Sequence, residues 1–404
     1  EGRSWAGDDG RVRESLGKDF DVDTLVVLAF ARNPGVARAL EEWRSVLARY
    51  EQAESFEDVL LAYNAFAREL EIPFGPMMGR GTRSIAESIP PPGGGAKKGD
   101  VLDAEVAVAR DEYHVAAADV VRDARLAFHD LAYYDVAIEI ARANKGILSD
   151  LQNVVTVKYE AAQAEYADVL RAQAELDRVE QEVITLGTER ERVAARIAGL
   201  LDLPGELDLG GAGALPEKPV ERSLADLVES ARRTNPDLAV LSAEITQMEA
   251  AIRLAEERTY YKYVQDRSLF DYRGGPFGAE ESMEAPPAWY GPDDSFLQEM
   301  RLRLAAARRE LEDRANDVRV EVETAYWEAD AQWRVFRLQQ TSLVEKARQG
   351  LEANRVGYQA ARVSFLDVLD AERTLFEAQL AQAEARREYL KAQAELQRQL
   401  GKSL

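Results

Sequence analysis

The chain has 404 residues, 46% hydrophobic and 31% charged, so it can bury a core and is not disordered by composition. With 73 Asp plus Glu against 51 Lys plus Arg, its formal charge of −22 argues against nucleic acid and anionic membrane surfaces as partners. It has no cysteine, which excludes disulfides and thiolate chemistry.

The two histidines, His114 and His129, read as helix-face residues rather than metal ligands. No run of ~20 apolar residues occurs, so no transmembrane helix is expected. The N-terminus lacks a charged-then-apolar pattern, and any export signal is expected to have been removed already.

Residues 1–20 read as a flexible polar leader. From Asp21, the residues Val22, Leu25, Val26 and Ala29 predict a short amphipathic helix ending near Asn33-Pro34, because proline disfavours helix in the residue before it. A second helix follows through Val36, Leu40, Trp43, Leu47 and Tyr50. Phe56, Val59, Leu60, Tyr63, Phe66, Ala67 and Leu70 keep i, i+3, i+4 spacing and predict another.

The patch 71–99 carries Pro73, Pro76, a Pro90-Pro91-Pro92 run and Gly93-Gly94-Gly95, and marks loops or short strands. From Asp100 to about Lys158, Ala104, Val108, Val120, Ala124, Phe128 and Leu131 fall near helical spacing. Near 60 residues, that helix would be ~90 Å long, more than a compact globule needs. Another helix leaves from Ala167 to Leu201, stops at Asp202-Leu203-Pro204-Gly205, and gives way to a linker over 205–221.

The second half repeats the first. Leu25, Ala29 and Asn33-Pro34 match Leu227, Ala231 and Asn235-Pro236, 202 positions apart (235 − 33). Tyr159, Asp168, Leu170 and Leu176 match Tyr358, Asp367, Leu369 and Leu375, 199 apart (358 − 159). Two anchors with nearly one offset define two structural repeats, 21–204 and 222–401. The second has its own irregular or strand patch at 263–294, an incoming helix from about Ser295 to Val356 and an outgoing one from Leu366 to Leu400. Each repeat is thus a long helical hairpin, with its tip near 159–168 or 358–367.

The Asn-Pro helix start, the long hairpins, the Tyr-bearing tips with Asp-Val-Leu, and the duplication together resemble the outer membrane efflux proteins of the TolC type. The likeness leans to the branch associated with heavy-metal and cation efflux, and covers about Asp21 to Gly401. It implies a mainly α fold of duplicated antiparallel hairpins forming a trimeric α-barrel tunnel. A small, degenerate or missing β-barrel portion would cap it, since Tyr260 to Tyr272 and Arg83 to Ile89 alternate too weakly for membrane strands.

The implied function is a passive outer-membrane duct for small molecules or metal cations. It would act as a homotrimer with a periplasmic adaptor (membrane fusion) protein and an inner-membrane transporter, with most of the chain in the periplasm. By position the resemblance places Asp367 and Asp370 at the periplasmic aperture, where three protomers would contribute a ring of carboxylates. It also assigns Asp168 and Tyr358 to holding the tunnel end closed, and Tyr159, Ala162, Ala361 and Val363 to the tip surface that docks the adaptor. Read from the residues alone, the two aspartates are better read as a solvated acidic turn or as charges that favour a helix N-terminus; the resemblance is what points to the aperture.

Two features depart from the family's pattern: Val363 stands where a basic partner is expected, and Ala162 and Ala361 stand where the tips usually carry glycine. A soluble trimeric coiled-coil scaffold or tether without a membrane-spanning barrel is the alternative reading. An enzyme is not expected, for there is no histidine pair and no Gly-rich phosphate loop, and no cofactor or metal is called for.

Overall fold

A computed structural model describes residues 7–50, 94–213, 218–270 and 295–401. The predicted helix at Phe56 to Leu70 and the patch residues 71–93 and 271–294 lie outside the described residues. The helices run α1 (Asp9–Leu16), α2 (Val22–Arg32), α3 (Pro34–Leu47), α4 (Gly94–Glu160), α5 (Tyr166–Leu200), α6 (Leu224–Thr234) and α7 (Pro236–Phe270). They continue as α8 (Ser295–Leu338), a π-helical turn (Gln339–Leu343), α9 (Val344–Gln359) and α10 (Phe365–Leu400). Among the described residues the one β-bridge is the parallel contact of Phe20 with Ala212. No described helix is long and apolar enough to cross a membrane.

Two of the predicted boundaries shift. Helix α4 already begins at Gly94, inside the patch expected to be irregular through 99, and α7 runs to Phe270, past the expected patch start at 263. Local helix breakers and weak alternation lose to the continuing helix on either side.

The chain divides into two compact units: Glu1–Ala37, Ala117–Asn235 and Val318–Leu404 in one, Arg38–Ala116 and Pro236–Asp317 in the other. In the first unit, four helices converge near the hairpin tips. Leu148, Leu151 and Val155 of α4, Ala172 and Val179 of α5, Leu351 of α9, and Phe365, Val368 and Leu375 of α10 form one buried cluster. Each fully buried branched or aromatic side chain there is worth ~1.5–3 kcal/mol of transfer free energy. Fully buried alanines (Ala124, Ala127, Ala137, Ala141 and Ala172) favour helix and let neighbouring backbones come close.

The Asn-Pro starts do the same work in both repeats. Asn33 Nδ2 donates to the Leu200 carbonyl at 3.2 Å, and Asn235 Nδ2 donates to the Gln399 carbonyl at 3.0 Å. Leu200 and Gln399 are themselves 199 positions apart (399 − 200). Each asparagine therefore satisfies a last-turn carbonyl of its own repeat's outgoing helix, one of the orphans every helix end leaves. Asn33 Oδ1 also accepts from Gly35 N at 2.9 Å and Val36 N at 3.3 Å, capping α3.

The expected leader is a correction. Asp8 caps α1 by accepting from Gly10 N, and Val12 and Leu16, four apart on one face, are fully buried. The linker after α5 lies along this segment: Gly210 N donates to Leu16 O at 2.8 Å and Gly213 N to Phe20 O at 2.8 Å. A Cβ at Gly210 would sit 2.3 Å from the Lys18 backbone, so this approach needs glycine. Arg190 holds the linker from the other side, pairing with Asp135 at 2.7 Å and donating to Leu209 O at 2.9 Å. Leader and linker thus fold as one surface of the first unit.

In the second unit, ion pairs run between its helices. Arg49 meets Glu105 at 2.8 Å, Arg308 meets Glu249 at 2.8 Å, and Arg314 meets Asp237 at 2.6 Å. Trp43 of α3 lies against Tyr113 of α4 with ring centroids 5.7 Å apart. Exposed pairs such as Arg308–Glu249 contribute little each, at most ~1 kcal/mol.

The π turn has a counterpart argument in sequence. Val120, Ala124, Ala127 and Leu131 are buried on α4, as are Val318, Val322, Ala325 and Ala329 on α8, each pair 198 apart (318 − 120, 329 − 131). Beyond the turn the tips are offset by 199 (358 − 159). The second repeat carries one extra residue between these anchors, and a wider i→i+5 turn absorbs it.

Candidate functional site: the paired hairpin tips

Both hairpins turn with the same backbone. At the first tip Ala162 N donates to Tyr159 O at 2.8 Å and Gln163 N to Lys158 O at 2.7 Å; at the second Ala361 N donates to Tyr358 O at 3.1 Å and Arg362 N to Gly357 O at 2.8 Å. These are the two bonds of a Schellman motif, which needs a left-handed residue at the C′ position. Ala162 and Ala361 supply it, with φ of 58° and 54°. The tip geometry therefore survives the loss of glycine, at a steric cost of ~1–2 kcal/mol per residue.

An aromatic pair closes each turn. Tyr159 packs on Tyr166 with centroids 5.6 Å apart, and the equivalent Tyr358 on Phe365 at 5.4 Å. Their settings differ: Tyr159 and Tyr166 are 45% and 57% exposed, whereas Phe365 is 2% exposed. Val363 is half-buried and packs against Gly357, where a Cβ would approach its methyls at 3.1 Å.

The two tips meet through Lys158. Its ammonium lies 3.9 Å from the centre of the Tyr358 ring and donates to the Tyr358 carbonyl at 2.9 Å. The carbonyl belongs to the last turn of α9, where a cation also complements the helix dipole. Sequence reading looked for a basic residue at position 363 and passed over this one. Its only signal was its place beside Tyr159 at the first tip, six positions before Ala164, which matches Val363.

The expected aperture residues separate into two groups. Asp168 and Tyr358 come within electrostatic reach: burial raises the Tyr358 hydroxyl above its usual pKa, and the negative charge of Asp168 adds to it. Tyr358 Oη has no hydrogen-bond partner among the described residues, and Asp168 pairs instead with Arg171 at 3.1 Å.

Asp367 and Asp370 are exposed and three apart on the first turns of α10. Asp367 is the third residue of a capping box: its carboxylate accepts from Ser364 N at 2.9 Å and Ser364 Oγ at 2.7 Å, while Ser364 Oγ accepts from Asp367 N at 3.2 Å. The Ser364 hydroxyl, then its backbone amide, pull the Asp367 carboxyl below the usual range. The first tip lacks this device, for Glu165 at the matching position makes no capping bond.

Below the tips, Arg373 of α10 pairs with Glu175 of α5, which also meets Arg178 at 2.8 Å. Beside them Glu372 is 1% exposed. Its burial pushes the carboxyl up to about 7, with the nearby Glu175 charge adding to the rise while Asn144 and the neighbouring arginines oppose it. Gln173 occupies the matching position in the first repeat and is exposed. Among the described residues no group of His, Asp and Glu has the arrangement of a metal site.

Residues 297–402, the second hairpin with its tip, match the outer membrane efflux protein family. The chain is 26% identical over 294 residues to nodulation protein T of Rhizobium leguminosarum bv. viciae, covering 66% of this chain but only 57% of that relative's length. Among solved structures, the Vibrio cholerae outer membrane protein VceC matches with a TM-score of 0.66, 14% identity, 95% of this chain and 96% of its own covered. The Campylobacter jejuni CmeC outer membrane channel matches with a TM-score of 0.69, 12% identity, and coverages of 99% and 88%.

By this likeness the duplicated helical hairpins share the fold of these two outer membrane proteins. The match to the outer membrane efflux protein family lies in the second hairpin, and the fold likeness to these proteins extends over nearly the whole chain.

Proposed function

We propose that this chain is the duct of a tripartite export system. A homotrimer would form the tunnel, with an outer-membrane end at one extreme and, at the other, the hairpin tips docked to a periplasmic adaptor that connects to an inner-membrane pump. Small molecules or metal cations would pass through without chemical change.

The observation that carries this reading is the exposed Asp367 and Asp370 pair on a rigid capped turn at the end of the second hairpin. Repeated around a threefold axis, such pairs form a carboxylate ring that favours cations and repels itself when fully ionised. Asp168, Tyr358 and Lys158 would hold the two hairpins together at that end. Tyr159, Ala162, Ala361 and Val363 would belong to the surface met by the adaptor.

Planar-bilayer recordings of the purified protein test the reading. Discrete channels with cation preference are expected, and Asp367→Asn with Asp370→Asn should lower that preference several-fold. A protein that runs as a monomer in both detergent and plain buffer would sink the proposal. A detergent-free trimer that neither conducts nor enters liposomes would replace it with the soluble scaffold.

A further inference from the structure

We propose a second site away from the tips: a cavity of about 260 Å³ between α4, the α8–α9 junction and α10 that takes a small organic carboxylate with an apolar body. Its floor is apolar, with Ala132, Val136, Phe336 and Val344, and its cationic side is Arg348, Arg386 and Arg387, with no carboxylate among the lining residues. Such a site binds by burying the apolar body and pairing the charged head.

His129 is the second, independent observation. It lines the cavity, is 7% exposed, and its Nδ1 has no hydrogen-bond partner among the described residues. A buried ring nitrogen left unbonded costs ~1–3 kcal/mol, and because Nδ1 is itself out of reach of solvent, a ligand oxygen would recover that cost by drawing the ring round toward the cavity. Burial first, and then the positive charges of Arg125, Lys391 and Arg386, lower its pKa to about 4. The burial opposes charge of either sign, but the three nearby cations favour an anion, on a protein whose net charge is −22.

Part of that positive charge is already committed. Arg387 pairs with Glu388 at 2.7 Å and Glu384 at 3.2 Å and lies over the Tyr133 ring, whereas among the described residues Arg348 has only a long 3.8 Å contact with Glu345 and is mostly exposed. Arg348 is thus placed to swing onto a bound carboxylate. The π turn sits between Phe336 and Val344, both of which line the cavity, and such turns recur at functional sites.

The volume limits the ligand to one ring or a short chain, and benzoate is a suitable probe. The experiment titrates the assembled full-length protein, labelled at histidine, by NMR with benzoate and with uncharged benzamide. Only two histidines are present, so His114 serves as the internal control. Benzoate should bind roughly tenfold more tightly than benzamide and raise the His129 pKa while His114 stays put. Arg348→Gln, an exposed change that leaves the fold intact, should weaken benzoate several-fold and leave benzamide unchanged. An unmoved His129 at saturating benzoate, equal binding of the two probes, or indifference to Arg348→Gln would each overturn the proposal.

Discussion

The two hairpin tips share a backbone and differ in chemistry. Both end in a Schellman motif with a left-handed alanine, and both fold an aromatic pair over the turn. The first tip, however, gives its lysine to the second, keeps its aromatics exposed and starts its outgoing helix without a side-chain cap. The second buries Phe365, carries a capping box and hides a carboxyl at Glu372. Duplication kept what the turn requires and let the side chains divide into a donor tip and an anchored tip.

The largest expected effect tests the anchoring. Phe365→Ala should cost roughly 3–5 kcal/mol, whereas the equivalent Tyr166→Ala should cost under about 1 kcal/mol, read as shifts in a denaturant midpoint. Equal losses would erase the distinction between the tips.

Next comes Glu372. Its folded pKa of about 7 lies above the ordinary 4.5, so its contribution is intact below pH ~4.5 and is lost as pH rises through 7. Glu372→Gln, which copies Gln173 of the first repeat, should stabilise the protein by ~2–3 kcal/mol at pH 8 and have little effect at pH 4. A substitution with the same effect at both pH values would show that the carboxyl is not held protonated.

Lys158→Met should cost roughly 1–2 kcal/mol by removing the ring contact and the charged bond to the Tyr358 carbonyl. It should also loosen the tips, giving faster amide exchange at Ala361 and Arg362, whose N–H groups close the adjoining turn. Unchanged exchange would mean the lysine is ornamental. Smallest is the shared feature: Ala162→Gly and Ala361→Gly should each stabilise by up to ~1 kcal/mol, because glycine relieves the positive φ. A gain at only one tip would show that the two turns are not equivalent.

Much of the fold was legible in the sequence because it was written twice. The Asn-Pro starts, the tip motifs and the outgoing helices survive as matched pairs, and the structure gives each pair a matched hydrogen bond or dihedral. The leader and linker were not legible. Helix α1 is only 8 residues long, too short for a convincing period, and Gly210 reads as punctuation until Lys18 is seen beside it.

Sequence marked Ala162 and Ala361 as departures, but whether an alanine will tolerate a left-handed turn depends on the two bonds that reward it. Lys158 was hidden for a different reason. Its partner lies 200 positions away, and no local pattern announces a cation placed over a distant ring. Asp367 and Asp370 came from family likeness, and the structure adds that Asp367 is also occupied in starting a helix.

The π turn at Gln339–Leu343 has an evolutionary reading. A single added codon in a long helix would ordinarily rotate everything beyond it by about 100°, exposing one buried stripe and burying a polar one. Here the slack is taken up within five residues, so that buried positions 198 apart before the turn and tips 199 apart after it both keep their places. The turn is therefore a site where the helix tolerates a change of length. Removing one residue within 339–343 should return it to a plain α-helix with both ends still in phase.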